Sequence, residues 1–373
     1  MNFHSSAIVH LGNFHNNFKS ISEFLGGNVS IIPVIKADGY GHGMIRIARE
    51  LQTYGNVAYL GVAHIKEGVI LRKNGIKQPI LAMSCLDSFD VDMMDEFNIT
   101  PVVHSFYLLK KVIDYAKSYN KRIKVHLKFD TGMARLGIRK EDIEESIALC
   151  KKEKDYIELD GLMSHFSDSE SNKEWTLKQN SLFKNIVDFV ENEGFNPKYK
   201  HIANSGAILQ FKETHYNCVR PGLILYGYTP SCNLKGIIDI QPVLEIKSQL
   251  ISIHSLKKGE GISYGRTFIA PYDMVVGVVA FGYADGLFRN LSNKLECLIN
   301  GKRCKSVGTI CMDMFMCDIT DIEASISDEA IIIGKDKEEE ITIDDLARES
   351  KTINYEILTN IGKSIRVNRV YMD

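Results

Sequence analysis

The chain has 373 residues, of which 45% are hydrophobic and 25% are charged, and its formal net charge is -2. This length exceeds what one hydrophobic core usually supports, so two domains are expected, and the ordinary apolar fraction excludes a disordered or fibrous chain. The near-zero net charge gives no electrostatic footprint for a nucleic-acid partner.

The sequence predicts neither a membrane segment nor a secretion signal. Its longest unbroken apolar run, at 274–281, is far short of the roughly 20 apolar residues that span a bilayer. The first residues, MNFHSSAIVH, lack the basic start and long apolar core of a signal peptide. We therefore expect a cytoplasmic protein with no membrane partner.

The 8 cysteines are scattered and form no CxxC pair. A chain of this length does not need disulfides to stabilise its core, and no Cys/His cluster has the spacing of a zinc site. Reduced cysteines, mostly in the core, are the expectation, and no metal site is predicted.

From about residue 29 to residue 227, short β-rich runs alternate with amphipathic helical segments. Repeated strand–helix units favour right-handed parallel crossovers, and eight of them match the lower size range of a closed (β/α)₈ TIM-type barrel. An open doubly wound sheet is the alternative. The predicted strands are 29–36, 59–63, 79–83, 99–104, 122–130, 157–166, 199–204 and 218–227.

Beyond residue 235 the pattern changes to β-rich runs separated by Gly, Asn and Asp turn signals, with helical segments only near the end. This pattern predicts a second, mainly antiparallel β domain. The Pro, Ser, Asn and Gly residues of 229–236 suit a linker. The predicted fold is therefore α/β, with a barrel at 10–230 followed by a mainly β C-terminal domain at 236–373.

Polar residues cluster where the predicted barrel strands end, which is where barrel enzymes place their chemistry. Each one alone has a simpler explanation, such as a solvated lysine or a turn. Several cations converging on one end of a barrel are hard to explain by packing, because buried cations need a partner or a bound anion. These residues are Lys36, His126, Lys128, Asp130, His165, Asn204, Ser205 and Arg220.

The chemistry of these strand ends suggests a phosphorylated aldehyde cofactor. Lys36 lies beside the glycine-rich loop ADGYGHG, and Ser205 with the backbone N–H groups of Gly222 and Leu223 could bind a phosphate. An inward lysine near a phosphate site suits a Schiff base to pyridoxal 5'-phosphate.

The segment VIKADGYGHG at 34–43 resembles the pyridoxal phosphate attachment motif of the alanine racemase family. Further motifs follow in the family's order across nearly the whole chain. They are VHLKFDTGMARLG at 125–137, HFSDS at 165–169, HIANSGAIL at 201–209, VRPGLILYG at 219–227, GISYGRTF at 261–268, FGYADG at 281–286, VGTICMD at 307–313 and TINYEILTNIG at 352–362. The resemblance also implies that the N-terminal strand, 1–9, joins the β domain.

The resemblance implies an isomerase that interconverts L-alanine and D-alanine by a two-base mechanism and supplies D-alanine for peptidoglycan. Lys36 would form the Schiff base and act as one base. Tyr264, contributed by the other subunit of a homodimer with shared active sites, would be the second base on the opposite face of the substrate α-carbon. Two such groups suffice for racemisation without a metal or redox cofactor.

The resemblance also implies cofactor ligands. Arg220 would donate to the pyridine nitrogen, which stays unprotonated because arginine cannot give up its proton. His165 would link Arg220 to Tyr264. Asn204 is expected beside the cofactor. The residues expected at the phosphate are Tyr40, Ser205, Gly222, Leu223 and Tyr355.

On the substrate side, the resemblance implies that Arg135 faces the substrate carboxylate. Lys128 is similar to a lysine that becomes carbamylated in family members, which would turn a cation that repels Arg135 into an anion. The partner chain would line the carboxylate pocket with Cys311, Met312 and, nearby, Asp313. Tyr283 would narrow the entrance.

The sequence departs from the family pattern at four places, which affect the expected substrate range. Asp38 and Gly39 follow Ala37 where many members have Asn and Ala, and Ala134, Gly206 and Thr309 also differ. A racemase of serine or of a broader amino-acid range, a non-catalytic barrel protein that binds pyridoxal phosphate, and a decarboxylase of the same two-domain plan are the alternatives.

Overall fold

The computed structural model describes residues 4–85, 90–362 and 364–373. The chain divides into two compact units. We call Asn17–Gly39 with Met44–Ile240 the barrel unit, and Met1–Asn16 with Tyr40–Gly43 and Gln241–Asp373 the β unit. Residues 1–3 of the predicted N-terminal strand lie outside the described residues.

Strand β1 (Ser6–His10) and helix α1 (Leu11–Leu25) come first, and eight strands of the barrel unit follow. These are β2 (Ser30–Ile31), β3 (Leu60–His64), β4 (Ile80–Cys85), β5 (Thr100–Val103), β6 (Ile123–Lys128), β7 (Ile157–Met163), β8 (Tyr199–His201) and β9 (Cys218–Val219). Between them lie the left-handed turn α2 (Lys36–Tyr40) and the helices α3 (Met44–Leu51), α4 (Ile65–Lys73), α5 (Val91–Glu96), α6 (Phe106–Ser118), α7 (Ile143–Lys152), α8 (Lys173–Asn192) and α9 (Ser205–Gln210).

The eight strands close into a ring. Strands β3 to β8 form one parallel sheet in chain order, and β2 pairs in parallel with β9. This pair closes the gap between the two ends of the sheet. A parallel bridge between Val34, just after β2, and Gly61 joins the pair to β3. The backbone N–H of Arg220, just after β9, donates to the carbonyl of Ala203, just after β8, at 3.0 Å. The predicted (β/α)₈ barrel is confirmed, and the open-sheet alternative is wrong.

Two predicted strands are much shorter than expected. In 29–36 the ladder covers only Ser30–Ile31, and Lys36 begins α2. In 218–227 it covers only Cys218–Val219, and Leu223–Tyr226 forms a 3₁₀ turn. The apolar run of this turn is buried on all sides, so hydrophobicity alone could not distinguish it from a strand.

Helix α6 illustrates how the barrel helices form. Ser105 caps the helix, because its hydroxyl oxygen accepts the N–H of Leu108 at 3.2 Å. The buried residues recur with helical spacing on one face, at Leu108, Leu109, Val112, Ile113 and Ala116. That face packs on the barrel, as the sequence pattern predicts.

The β unit is mainly antiparallel. Its strands after the barrel are β10 (Leu244–Leu256), β11 (Gly261–Ile262), β12 (Phe268–Ile269), β13 (Met274–Val279), β14 (Glu296–Ile299), β15 (Lys302–Lys305), β16 (Phe315–Asp318), β17 (Glu329–Asp336), β18 (Glu339–Ile341) and β19 (Asn368–Met372), with helices α10 (Ile343–Ser350) and α11 (Asn354–Ile361). The long β10 pairs antiparallel with β1, β13 and β17, and β1 pairs in parallel with β19. The N-terminal strand is therefore part of the C-terminal sheet.

Within the parts of the chain that the structure describes, none of the helices combines the length and apolar character needed to cross a membrane.

A close backbone contact holds the segment Tyr40–Gly43 inside the β unit. A Cβ added at Gly362 would lie 2.0 Å from the Cα of Gly41. Gly41 has a φ of 84°, and a Cβ there would lie 2.4 Å from the Leu358 carbonyl oxygen. Glycine is needed at both positions for α11 to pack this tightly on the segment Tyr40–Gly43.

We predict that Gly362→Ala lowers the free energy of unfolding by about 1–3 kcal/mol, because the added methyl overlaps the Gly41 backbone. Urea unfolding followed by circular dichroism measures the change. Gly27→Ala is the control, since no heavy atom lies within 4 Å of its added Cβ, and its change should stay within about 0.5 kcal/mol. Equal unfolding midpoints for the two variants would contradict the packing argument.

Candidate active site

Lys36 opens a left-handed turn. Ala37 and Asp38 have φ values of 51° and 53°, which cost roughly 1–2 kcal/mol per residue for non-glycine side chains. Side chains stabilise this turn: the Glu67 carboxylate accepts the Ala37 N–H at 2.7 Å, and the Asp38 carboxylate accepts the Met44 N–H at 2.9 Å. These two hydrogen bonds hold the backbone of the turn that begins at Lys36.

Glu67 was not identified from the sequence. It lies in the first turn of α4, where its other oxygen accepts the Ala63 N–H at 2.7 Å. A glutamate three residues after a helix cap is a capping signal, but nothing in the sequence shows that its second oxygen reaches the Lys36 turn.

Four cationic side chains share one neighbourhood of the barrel unit. Burial lowers the pKa of the Lys36 amine, the Arg135 and Arg220 charges lower it further, and Glu67 opposes them. Burial also lowers the pKa of Lys128 to about 8, together with the charges of Arg220, Arg135 and Lys36. The structure thus brings together the lysines and arginines that the sequence predicted for one site.

The carboxylate of Asp130, whose charge acts to raise the pKa of Lys128, is engaged in shaping a loop. One oxygen accepts the backbone N–H groups of residues 132–134 at 2.9–3.1 Å, and the other lies 2.7 Å from the Arg139 guanidinium. Burial acts to raise the Asp130 pKa, but these hydrogen bonds and Arg139 lower it overall. Asp130 therefore folds the loop that carries Arg135, and only partly offsets the positive charge.

Arg220 is 3% exposed and rigidly held. It donates from Nη1 to His201 Nδ1 at 2.6 Å, and from Nη2 to the Ser164 and Ile202 carbonyls and to His165 Nδ1 at 3.1 Å. Burial lowers its pKa to about 10, so it stays charged near neutral pH. Burial and the Arg220 charge hold the pKa of His165 well below its usual value, so this imidazole is neutral.

The residues predicted to hold a phosphate in the barrel unit lie at adjoining turns. The Ser205 hydroxyl oxygen accepts the Gly222 N–H at 3.0 Å, which leaves the hydroxyl hydrogen able to donate to another acceptor. Leu223 begins the 3₁₀ turn that follows. Asn204 caps α9 by accepting the Ala207 N–H at 3.0 Å, and it also accepts the Ser169 hydroxyl, so its proximity to a cofactor stays a prediction.

Two predicted phosphate ligands pair within the β unit. The rings of Tyr40 and Tyr355 lie 6.0 Å apart between centroids. Burial raises the pKa of the Tyr40 phenol, and Tyr355 raises it further, so Tyr40 is a neutral hydroxyl.

A second group of predicted site residues forms a loop cluster in the β unit. Tyr264 is 71% exposed and follows Ser263, whose φ is 64° and whose hydroxyl donates to the Thr309 carbonyl at 2.6 Å. The Thr309 hydroxyl in turn donates to the Tyr264 carbonyl at 2.8 Å. These bonds fix a strained loop that displays the Tyr264 ring to solvent.

The remaining predicted residues of the β unit lie on neighbouring loops. Ser263 Oγ lies 3.6 Å from Cys311 Sγ, and the Tyr283 N–H donates to the Cys311 carbonyl at 3.1 Å. Met312 is 52% exposed and Tyr283 is 40% exposed. The β unit therefore presents a cluster of exposed apolar and phenolic groups.

Asp313 has a partner that the sequence did not reveal. Arg366 donates to its carboxylate at 2.6 Å and also lies 3.3 Å from the Asp285 carboxylate. Arg366 is more than fifty residues away in the chain and carries no local signal of this contact.

The donors of the barrel unit fit pyridoxal phosphate. A half-buried lysine with a lowered pKa suits an aldehyde, and the Ser205 hydroxyl, whose hydrogen stays able to donate while its oxygen accepts the Gly222 N–H, suits a phosphate. Among the described residues, Glu67 and Asp130 are the carboxylates whose charges act on Lys36 and Lys128, and they do not reverse the lowering of either pKa, so an anionic ligand would relieve the remaining repulsion.

Comparisons with known proteins agree with this chemistry. The family model for the alanine racemase N-terminal domain matches residues 9–230, and that for the alanine racemase C-terminal domain matches residues 243–371. An alanine racemase of Thermodesulfovibrio yellowstonii is 41% identical over 364 residues, with 96% of each chain covered.

Solved structures are similar over the full chain. An alanine racemase of Clostridium difficile has a TM-score of 0.93 and 36% identity, and the match covers 100% of this chain and 96% of that one. An alanine racemase of Bartonella henselae with covalently bound pyridoxal phosphate has a TM-score of 0.89 and 25% identity, with 100% of both chains covered.

We predict that Lys36 and Lys128 react with an amine-selective reagent at lower pH than exposed lysines do, because a lowered pKa leaves more neutral amine. For Lys128 the midpoint should lie at about 8. Labelling of the cofactor-free chain in CO₂-free buffer, read by residue-resolved mass spectrometry across pH, measures both midpoints.

Arg135→Gln should raise both midpoints, since it removes a positive charge that acts on both amines. Arg122→Gln is the matched control, because Arg122 pairs with Glu158 and is not among the charges acting on either amine. Midpoints equal to those of exposed lysines would refute the lowered pKa values.

Proposed function

Because this chain belongs to the alanine racemase family, we propose that it interconverts L-alanine and D-alanine with Lys36 and Tyr264 as its two bases. The chain is an isomerase of a family that uses pyridoxal phosphate. The observation that carries the proposal is the half-buried Lys36 amine, whose pKa is lowered by desolvation and by the charges of Arg135 and Arg220, against the opposing charge of Glu67.

When bound, pyridoxal phosphate supplies an aldehyde that binds amino groups and a ring that accepts the electron pair left when the α-proton is removed. Lys36 would hold this group covalently. Arg220 would direct a charged N–H donor at the ring nitrogen, and its many hydrogen bonds support a fixed orientation. The residues proposed at the phosphate are Tyr40, Ser205, Gly222, Leu223 and Tyr355, and Asn204 is proposed beside the cofactor.

Lys36 would act as the base on one face of the substrate α-carbon. A base must be neutral to take a proton, and the lowered pKa keeps a larger share of this amine neutral near pH 7 than for an ordinary lysine. Returning that proton to the same face regenerates the starting enantiomer, so inversion needs a second group.

Tyr264 would be that second group, acting on a site of the other subunit in a homodimer. Its 71% exposure, with the 52% exposure of Met312, supports burial of this cluster by another chain. His165 would link Arg220 to Tyr264 by hydrogen bonds. Its neutral imidazole accepts a hydrogen bond from Arg220 at Nδ1 and keeps its Nε2–H free to donate to the Tyr264 phenol oxygen.

The substrate carboxylate would be held by Arg135 from one chain and by Cys311 and Met312 from the other, with Tyr283 at the entrance. Asp313 would act through Arg366, to which its carboxylate is bound. We thus propose two domains with different roles. The barrel at 10–230 would bind pyridoxal phosphate, and the β domain at 236–373, with strand 1–9, would contribute residues to the active site of the other subunit.

We also propose that Lys128 is carbamylated. Only a neutral amine attacks CO₂, and a pKa of about 8 provides a substantial neutral fraction near physiological pH. The product would carry a negative charge beside Arg135 and Arg220, in place of a positive one. The modification would therefore remove a like-charge repulsion and orient Arg135.

We propose that the protein acts in the cytoplasm as a homodimer and that it supplies D-alanine for peptidoglycan. The proposal rests on the family and on the alanine racemases that the chain resembles over its full length.

Tyr264→Phe should slow solvent exchange of the α-proton of L-alanine by about 100-fold or more, because the base on that face is lost. Exchange of the α-proton of D-alanine through Lys36 should be much less affected. Proton NMR in D₂O measures both rates. Tyr272→Phe is the control, an exposed tyrosine of the β unit whose phenol donates to Asp318, and it should retain both rates. Equal slowing for both enantiomers would refute the two-base assignment.

Mixed dimers test whether the site is shared between subunits. Lys36→Ala and Tyr264→Phe are each expected to be inactive, but a hybrid dimer has one site with both native groups. After random subunit exchange, about one quarter of wild-type activity should return. No recovery despite subunit exchange shown by native mass spectrometry would place both groups in one chain.

A further inference from the structure

A line of buried hydrogen bonds runs through the barrel interior away from the candidate site. Arg220 Nη1 lies 2.6 Å from His201 Nδ1, His201 Nε2 lies 2.8 Å from His126 Nδ1, and His126 Nε2 lies 3.2 Å from the Asp160 carboxylate. We call these four residues the relay. Both imidazoles are fully buried, and Asp160 is 6% exposed.

The proton positions along the relay follow from one fact. Arginine can only donate, so His201 Nδ1 must accept and its proton must lie on Nε2. That Nε2–H donates to His126 Nδ1, and the His126 proton must then lie on Nε2, where it donates to Asp160. Every hydrogen bond therefore points from the guanidinium toward the carboxylate, and both imidazoles are neutral.

The barrel is shaped to hold the relay. A Cβ added at Gly161, on the strand next to His126, would lie 2.4 Å from His126 Nδ1, so only glycine leaves room for this ring. The rings of Tyr59 and Tyr199 pack against His126 at centroid distances of 5.2 and 6.0 Å. The Tyr59 hydroxyl also donates to the Asp160 carboxylate at 2.6 Å.

The relay could stabilise the buried positive charge of Arg220. This guanidinium is buried, and no carboxylate among the described residues acts on its charge directly. A buried charge without a counter-charge is strongly destabilising. Asp160 is the carboxylate to which Arg220 is connected, through two imidazoles whose dipoles all point the same way.

Asp160 stays ionised at its end of the relay. Burial acts to raise its pKa, but hydrogen bonds from His126 and Tyr59, with the charge of Lys124 at 3.8 Å, lower it overall. Asp160 also lines a cavity with residues near the N-terminal ends of the strands, including Lys124 and Lys198. The negative end of the relay thus lies away from the strand ends that carry Lys36 and Arg220.

We propose that Asp160, His126 and His201 are positioning residues of the racemase, which supply the buried Arg220 with its counter-charge across the barrel and fix the direction in which Arg220 meets the cofactor ring. This inference rests on the proposed function, in which Arg220 contacts that ring. In this proposal the three residues act only through Arg220 and have no direct role toward cofactor or substrate.

The first test reads proton positions in the full wild-type chain, with and without pyridoxal phosphate. Nitrogen NMR of ¹⁵N-histidine-labelled protein at neutral pH should show His126 and His201 neutral, each with its proton on Nε2. A proton on His201 Nδ1, or a doubly protonated His201, would overturn the proposal. Because the measurement does not need the cofactor, a chain that fails to bind pyridoxal phosphate would refute the proposed function and leave this result standing.

The second test removes the counter-charge. Asp160→Asn should shift the ring nitrogen resonances of His201, which Asp160 does not touch, and lower kcat of the holoenzyme by about tenfold, by analogy with outer-shell partners of metal ligands. KM for alanine should change by less than about twofold, since Arg220 faces the cofactor rather than the substrate.

Glu158→Gln is the matched control, because this carboxylate lies on the same strand and shares Lys124 but does not touch the imidazoles. It should leave the His201 resonances and kcat unchanged. Unchanged His201 resonances and kcat in a folded Asp160→Asn chain would overturn the proposal, as would an equal loss in the control. If Asp160→Asn does not fold, the wild-type proton positions decide the question.

Discussion

The barrel site depends on an excess of positive charge around the half-buried amine of Lys36. Lys36, Lys128 and Arg220 act on one another through a poorly solvated interior, and each has a lowered pKa with burial as the first cause. Because like charges repel strongly where water is excluded, the arrangement favours an anionic ligand. The same repulsion keeps part of the lysine population neutral, which is the form that both covalent attachment and proton abstraction need.

Negative charge near the site is used mainly to shape the backbone. Glu67 binds the amides around the left-handed turn of Lys36, and Asp130 binds the amides of the loop that carries Arg135. The N–H groups that the Asp130 carboxylate accepts lower its pKa and so stabilise it as the anion. The site can therefore hold strained turns in place and still remain electropositive, with the Asp160 charge placed farther away at the end of the imidazole chain.

The β unit displays an exposed phenol, that of Tyr264. The Ser263 and Thr309 hydroxyls bind backbone carbonyls of the loop and hold Tyr264 in an exposed position. Thr309, one of the positions at which we expected the sequence to depart from the family pattern, links this loop to Tyr264 and Ser263 by hydrogen bonds. An exposed tyrosine beside an exposed methionine is costly for an isolated chain and suited to a surface that another chain covers.

The sequence by itself determined the barrel, the β domain and the set of polar strand ends, because strand–helix alternation and turn residues are local signals. It overestimated the strands at 29–36 and 218–227, since a fully buried turn and a buried strand share one hydrophobic pattern. Only the tertiary structure decided which distant side chains meet: Glu67 at the Lys36 turn, Arg366 on Asp313, and the line from Arg220 to Asp160. These contacts join separate elements of the chain, so no local pattern of residues could encode them.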